Sequence, residues 1–279
     1  MNTTPFLRPL MMPLSVSLLA TSLIMVACSS DPDPIPLQPQ LPAIGGSVVK
    51  SIKHLGNMTS SYDWDFSYVS GRLVTASGTI RDASGDVDES YSYTSTIGYG
   101  PNYIAVSNSS GDATSVTLNT QGYIERMTVN RNIYNFTYTD GRLTAWDKTV
   151  FENSFGQAKQ YRSSATIEYA NGNLSRIVYY APDNDPVTLT FTPSQLVNYN
   201  GLLPETVSEE LGCLGFEHLY YAGFLGRPTI NMVKSLTVTD SKGQTSYTTD
   251  FEYGTRGNDI VLCNYHTPQG GVASASYGY

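Results

Sequence analysis

The stretch Asn135–Trp146, NFTYTDGRLTAW, recurs in variant form at Phe66–Ala76 (FSYVSGRLVTA), Ile167–Ile177 (IEYANGNLSRI) and Phe251–Val261 (FEYGTRGNDIV). A degenerate copy runs from Thr117 to Val129. Tyr134, Phe136 and Tyr138 fall on one face of an extended chain, and Ile133, Asn135, Thr137 and Thr139 on the other. That period of two marks a strand with one buried face. Asp140-Gly141 takes positive φ at low cost and reverses the chain, so that Arg142 points outward and Leu143 inward. The turn is rewritten as Ser70-Gly71, Asn171-Gly172, Arg256-Gly257 and Gln121-Gly122. Each unit is a β-hairpin that cannot bury its apolar face alone. Stacked side by side, the hairpins make a long antiparallel meander.

Further strand-like runs fill the gaps, among them ESYSYTSTIGYG, YRSSATIEY, VTLTF, KSLTVTD and QTSYTTDFEY. They bring the total to about fourteen strands, more than a twisted open sheet tolerates without curling or splitting. The 21 Tyr, 24 Gly and 15 Pro suit strands and turns better than helices. The expected fold is all-β, a meander curled into a barrel or half-barrel. One segment departs from alternation. In Leu202–Ile230, LLPETVSEELGCLGFEHLYYAGFLGRPTI, the apolar residues are spaced closer to a helical period. Pro204 reads as a helix start and Gly226 with Pro228 as its stop. We expect a short helical insertion over about 204–226, filling or capping the hollow that many strands enclose.

The N-terminus reads as an address. One cation, Arg8, precedes the apolar run Leu14–Ala27. This is a secretory signal over residues 1–27, too short and poorly flanked for a membrane span. Met25–Cys28, MVAC, resembles the lipobox of bacterial lipoproteins, which makes Cys28 the expected lipid attachment. Residues 28–49 carry Pro at 32, 34, 36, 39 and 42 and form a tether of polyproline II character. A single β domain then spans 50–279. Such a protein is expected at the outer membrane, on the periplasmic face or the cell surface. Removing residues 1–27 leaves 15 cations against 24 carboxylates. So acidic a chain, without a basic run, is not expected to bind nucleic acid. It is expected to reach the membrane through its lipid rather than through charge.

The segment Leu214–Val238, LGFEHLYYAGFLGRPTINMVKSLTV, following Tyr-rich hairpins and a lipoprotein signal, resembles a family of uncharacterised bacterial lipoproteins known as a domain of unknown function with a porin-like β fold. The resemblance extends over roughly residues 50–279. It implies many antiparallel strands, no established activity and no catalytic residues to carry over. The chain's last residues, VASASYGY, also resemble the insertion signal of outer-membrane barrels. Against a spanning pore, the strand faces are Tyr, Ser, Thr and Ala, where a lipid-facing band is Leu, Val, Ile and Phe.

Chemistry-bearing groups are sparse. Among three His, only His266 has a neighbour at ligand spacing, Cys263, and on a strand the two face opposite sides. His218 reads as a buried imidazole among apolar neighbours. No metal, no cofactor and no catalytic grouping is expected. Asp63 and Asp65 flank Trp64 on one face, side by side rather than opposed across a cleft, which argues against a glycosidase pair. Asp82, Asp86, Asp88, Glu89, Asp183 and Asp185 read as solvated turns. Cys213 and Cys263 form a disulfide outside the cytoplasm or stand as two separate buried thiols; spacing does not decide between them. Aromatic faces stack on sugar rings, and Trp64, Trp146, Tyr220 and Tyr221 are the candidate ligand contacts. The expected function is a lipid-anchored, non-enzymatic domain that binds a glycan or an envelope protein, with a glycan-acting hydrolase or an outer-membrane pore as the alternatives.

Overall fold

The structure, a computed structural model, describes residues 46–56, 61–81, 87–100, 103–109, 113–154, 157–268 and 270–279. The signal segment, Cys28 and the Pro-rich run, with Asp82 and Asp86, lie outside the described residues. Sixteen strands are described: β1 (Ser51–Gly56), β2 (Ser61–Val69), β3 (Arg72–Arg81), β4 (Val87–Tyr99), β5 (Tyr103–Asn108), β6 (Ala113–Leu118), β7 (Ile124–Val129), β8 (Asn132–Thr139), β9 (Arg142–Ser154), β10 (Gln157–Ala170), β11 (Asn173–Tyr180), β12 (Val187–Val197), β13 (Asn231–Thr239), β14 (Thr245–Arg256), β15 (Asp259–His266) and β16 (Val272–Gly278). Each pairs antiparallel with its sequence neighbours. β1 closes on β16 from Ser51↔Gly278 to Gly56↔Ala273. The curled meander is therefore a closed barrel. It has more strands than the expected fourteen because a six-residue strand such as β5 carries too few alternations to stand out in the sequence.

Three hairpins reverse on two residues that both have positive φ: Ser70-Gly71, Asp140-Gly141 and Asn171-Gly172. This is the primed turn whose twist matches the strands. In the fourth the turn is Gly257-Asn258, one residue later than expected, because Arg256 pairs with Asp259. These turns define one end of the barrel, here called the near end. β1 begins and β16 finishes there as well.

A bulge follows each turn. Tyr138 pairs with Leu143 but Thr137 pairs with Ala145, so Thr144 is extra. The same slip inserts Val74, Ser175, Val261 and Glu125. An extra residue resets the alternation, and residues three apart then share the inner face. Leu73 and Ala76, Ile124 and Met127, Leu143 and Trp146, Leu174 and Ile177, and Ile260 and Cys263 are all buried pairs of this kind. The tyrosines serve these bulges. Tyr138 donates to the carbonyl of Ile124 (2.8 Å), Tyr99 to that of Leu73 (2.8 Å) and Tyr279 to that of Ile260 (2.7 Å). Arg72 and Arg142 lie over the rings of Tyr99 and Tyr169, at 5.2 and 5.3 Å. Tyr99 does both: its hydroxyl reaches the carbonyl that begins the bulge after the β2–β3 turn, and its ring carries the arginine that follows that turn.

The segment between β12 and β13 enters from the near end and fills the interior. Leu202, Val207, Leu219 and Phe224 are fully buried. At its entrance, Asn198 accepts the Leu202 N–H (2.8 Å) and donates to the Leu202 carbonyl (2.9 Å). At its exit, Arg227 N–H donates to Gly141 O (2.7 Å) and Ile230 N–H to Gly172 O (3.2 Å). The helix expected over 204–226 is confined to one turn, α1 (Glu217–Tyr221). Thr206, Gly212, Gly215 and Gly223 all have positive φ, and each interrupts a right-handed helix.

Gly212 tests this packing. At φ +68°, an added Cβ would stand 2.6 Å from the Trp146 ring, whereas at Gly257 it would meet nothing within 4 Å. Gly212→Ala is expected to cost about 3 kcal/mol or more, through strain plus overpacking, and Gly257→Ala about 1 kcal/mol. The urea midpoints of the two variants check this. Tyr138→Phe leaves the Ile124 carbonyl short of its donor and is expected to cost about 1 kcal/mol in the same assay.

Candidate functional site at the plug

The two tryptophans expected to meet a ligand face the interior. Trp64 is 1 % exposed, stacked between Tyr62 (5.6 Å) and Phe66 (5.9 Å) and against His218 (5.0 Å). Trp146 is 4 % exposed and donates from Nε1 to the Glu210 carbonyl (2.8 Å). Strict alternation from Leu143 would have placed Trp146 outside; the bulge at Thr144 turns it in. Both are plug contacts, not sugar platforms. Tyr220 and Tyr221 sit on α1, where Tyr221 packs on Phe66 (5.3 Å) and its hydroxyl accepts the Leu203 N–H (3.3 Å). Tyr220 borders two small cavities of about 20 and about 50 Å³. These have room for one water and for a few, not for a sugar.

Cys213 and Cys263 are free, buried thiols, the second of the two readings left open by their spacing. Burial pushes both thiols up, which suits packing rather than nucleophilic work. Cys263 points in and His266 out, so they share no face. His218 is fully buried, and burial lowers it to about 3, so its imidazole is neutral.

The chemistry gathers instead around a histidine that the sequence reading passed over. The β1–β2 ladder pairs Ser51 with Asp65 and Ile52 with Trp64. Beyond these pairs the Asp63 carboxylate takes the backbone N–H of His54 (2.8 Å). Asp63 and Asp65, expected on one face, therefore part. Asp65 turns outward to Lys53 (2.7 Å), and Asp63 is buried beside the His54 ring, 3.4 Å from Nδ1. From the plug, Glu205 reaches His54 Nε2 (3.2 Å) with one oxygen and accepts the Tyr277 hydroxyl (2.6 Å) with the other. The two ring nitrogens point to opposite sides, so these carboxylates do not converge on a common centre for a metal. The alternating signal was present in β1, where Ile52 and His54 share the buried face. Glu205 carries no local signal, because its partners come from the two ends of the chain.

Burial alone lowers the His54 pKa. The Glu205 charge, and hydrogen bonds to Asp63 and Glu205, outweigh burial and raise it from 6.5 to about 9. The imidazolium is thus held between two carboxylates and pins the plug to the β1–β2 seam and to β16. Burial also raises two further plug carboxyls, Glu210 and Glu217, from 4.5 to about 7. The Tyr277 face, which resembles a terminal insertion signal in the sequence, is turned inward onto this cluster.

At the far end the plug surfaces. Glu209 is exposed and accepts the Tyr179 hydroxyl (2.8 Å); Leu214 is 37 % exposed. Phe216 meets the Tyr134 ring edge-on (5.7 Å), and Lys148 Nζ lies 5.3 Å from the centre of the same ring. The outer wall is polar. Asp65, Arg176, Lys234 and Asp250 stand exposed near the middles of β2, β11, β13 and β14. Ser77 meets Thr94 (3.3 Å) and Thr248 meets Thr237 (3.4 Å) across strands. Asp183 and Asp185 are exposed in the β11–β12 turn.

Closure, register and plug together define a porin-like barrel whose interior is occupied by its own chain. Residues 66–257 match the model of a domain of unknown function (DUF4595) with porin-like fold, and the chain belongs to that family. The crystal structure of a porin-like protein from Bacteroides uniformis is similar, with a TM-score of 0.62 and 18 % identity over 82 % of this chain and 97 % of that one. A porin-like protein from Bacteroides vulgatus gives a TM-score of 0.48 and 9 % identity over 84 % of this chain and 99 % of that one. At such identities the likeness concerns the fold alone. No curated protein matches the chain. The resemblance read from Leu214–Val238 therefore holds for family and fold.

The cluster fixes a pH dependence. His54, with a folded pKa above 6.5, contributes stability that is complete below 6.5 and lost as pH rises through about 9. Glu210 and Glu217 favour the neutral carboxyl in the folded state, so their share is present below 4.5 and lost as pH rises through about 7. Both effects have one sign: the urea midpoint is expected to fall from about pH 5 to about pH 9. Glu217→Gln removes part of the lower limb of that decline. His54→Gln leaves two buried carboxylates without a cation and is expected to cost about 3–5 kcal/mol at pH 7.

Proposed function

We propose that this chain is a lipid-tethered, water-facing barrel of the bacterial cell envelope, which binds a ligand or another envelope protein without chemistry or conduction of its own. The observation that carries the reading is the outer wall. An Arg or Lys facing lipid at mid-height costs about 2–4 kcal/mol; Lys234 stands exposed near the middle of β13, with Asp250 on the neighbouring strand β14 and Asp65 near the middle of β2. A barrel dressed in this way belongs in water. Its attachment is then the lipid on Cys28, joined through the Pro-rich tether to the near end. The filled interior speaks against a pore. The divergence of Asp63 and Asp65, with His54 locked between carboxylates, speaks against a hydrolase centred there.

Binding then falls to exposed surfaces. With Trp64 and Trp146 buried, the plug floor at the far end, Glu209 and Leu214 among the rings of Phe216, Tyr134 and Tyr179, offers apolar contact beside a carboxylate acceptor. It points away from the tether.

Three measurements test the reading. Labelled palmitate attaches to the wild-type chain in cells and not to Cys28→Ala. The purified mature chain gives no conductance steps in planar bilayers, whereas steady channel steps would refute the water-facing barrel. Titration with soluble bacterial cell-wall glycan fragments, followed by tyrosine fluorescence, shows saturation that Leu214→Asp removes; unchanged saturation would move the site elsewhere.

A further inference from the structure

Whole-chain charge implies that this protein is repelled by anionic lipid, but the topology sorts the charges. Antiparallel order places the first residue of every odd strand from β1 to β15 and the last residue of every even strand at the near end. Lys50, Arg72, Arg142, Arg227 and Arg256 all lie at that rim. Lys50, Arg227 and Arg256 are exposed. Arg72 and Arg142 are held in place over Tyr99 and Tyr169, and Arg142 also donates to the Pro228 carbonyl (2.6 Å). Among the described residues the side-chain carboxylates at the rim are Asp140 and Asp259. Asp259 is already engaged by the Ser47 N–H (2.9 Å), the Ser47 hydroxyl (2.8 Å) and Asn200 (2.8 Å). The next charges inward, Glu168 with Arg176 (3.1 Å) and Glu125 with Arg126, cancel.

Between the cations stand exposed aliphatics: Val48, Val69 at the Ser70-Gly71 turn, and Ile230 beside Gly172. In the far-end turns Asp183, Asp185 and Asp240 outnumber Arg131 and Lys242. The barrel is thus basic, with apolar tips, at the end where the chain from Cys28 arrives.

We infer that the near-end rim is a docking face for an anionic, phosphate-bearing lipid surface, so that the barrel rests rim-down on its membrane with the plug floor facing away. The inference rests on the lipid anchor proposed above for its biological setting, not for its chemistry. A tether raises the local concentration of surface, so a face of modest intrinsic affinity suffices. Cations close to the surface act within a Debye length of about 8 Å, and the rim places five of them at one level.

The test uses the full mature chain with Cys28→Ser, which carries no lipid. Co-sedimentation with phosphatidylcholine vesicles is compared with vesicles that also contain phosphatidylglycerol. Binding is expected only to the anionic vesicles, weakening as salt is raised. Arg227→Glu with Arg256→Glu is expected to lower it at least about tenfold, with the circular dichroism spectrum and urea midpoint retained. Arg131→Glu with Lys242→Glu, at the far end, leaves it unchanged. Equal binding to both vesicle types, no binding to either, or equal losses from the two pairs of reversals would overturn the proposal. Failure of the anchor itself shows separately, as absent palmitate on the wild-type chain, and leaves the vesicle result intact.

Discussion

Closure of β1 onto β16 is the constraint from which the remaining structure follows. Sixteen strands joined edge to edge leave no open edge to aggregate, but they enclose a hollow that their own inward side chains cannot fill. Water or protein must occupy it. This chain supplies protein, the 198–230 segment, and so acquires a second problem: an irregular backbone taken out of water needs partners for its N–H and C=O groups. The partners come from the rim. Gly141 and Gly172, already required by the primed turns, offer carbonyls to Arg227 and Ile230. Asn198 and Asn200 close the entrance, the latter reaching Ser47, Asp259 and Ile260. The turns that build the barrel also seat its plug.

The repeated Tyr, turn, Gly and Leu then has a physical reading beyond hairpin formation. A bulge after each turn lets two apolar residues three apart face inward, which thickens the apolar lining next to the plug. The extra residue interrupts the ladder, and a neighbouring tyrosine hydroxyl reaches the carbonyl that begins the bulge at Leu73, Ile124 and Ile260. Phe in those places would fill space but leave the carbonyl short of a donor.

Period-two faces, Gly turns and the odd apolar segment were legible in the sequence, and with them the meander, its curling and the filled interior. What the sequence concealed follows from interruptions of period two. Thr144 flips Trp146 inward. The parting of β1 from β2 separates Asp63 from Asp65. Left-handed residues at Thr206, Gly212 and Gly215 reduce an apparently helical spacing to a single turn, because apolar residues three and four apart also arise when an irregular loop is buried on all sides. The His54 cluster joins residues from β1, β2, the plug and β16. No local window contains it, and only closure brings Tyr277 to Glu205.

Strand topology and the dressing of the two faces are independent properties of a barrel, and this chain separates them. A spanning porin turns its apolar faces to lipid and its polar faces to a wet lumen. Here the same strand topology carries the opposite dress: Trp64, Leu143, Ile177 and Leu236 inside, Asp65, Arg176, Lys234 and Asp250 outside. Since a shift of one residue exchanges the two faces of a strand, the difference between a wall for lipid and a wall for water lies in register against the pleat rather than in strand number or connectivity. The plug is the consequence. Once the apolar face is inside, a water-filled lumen would leave it hydrated, and only an apolar insertion removes that cost.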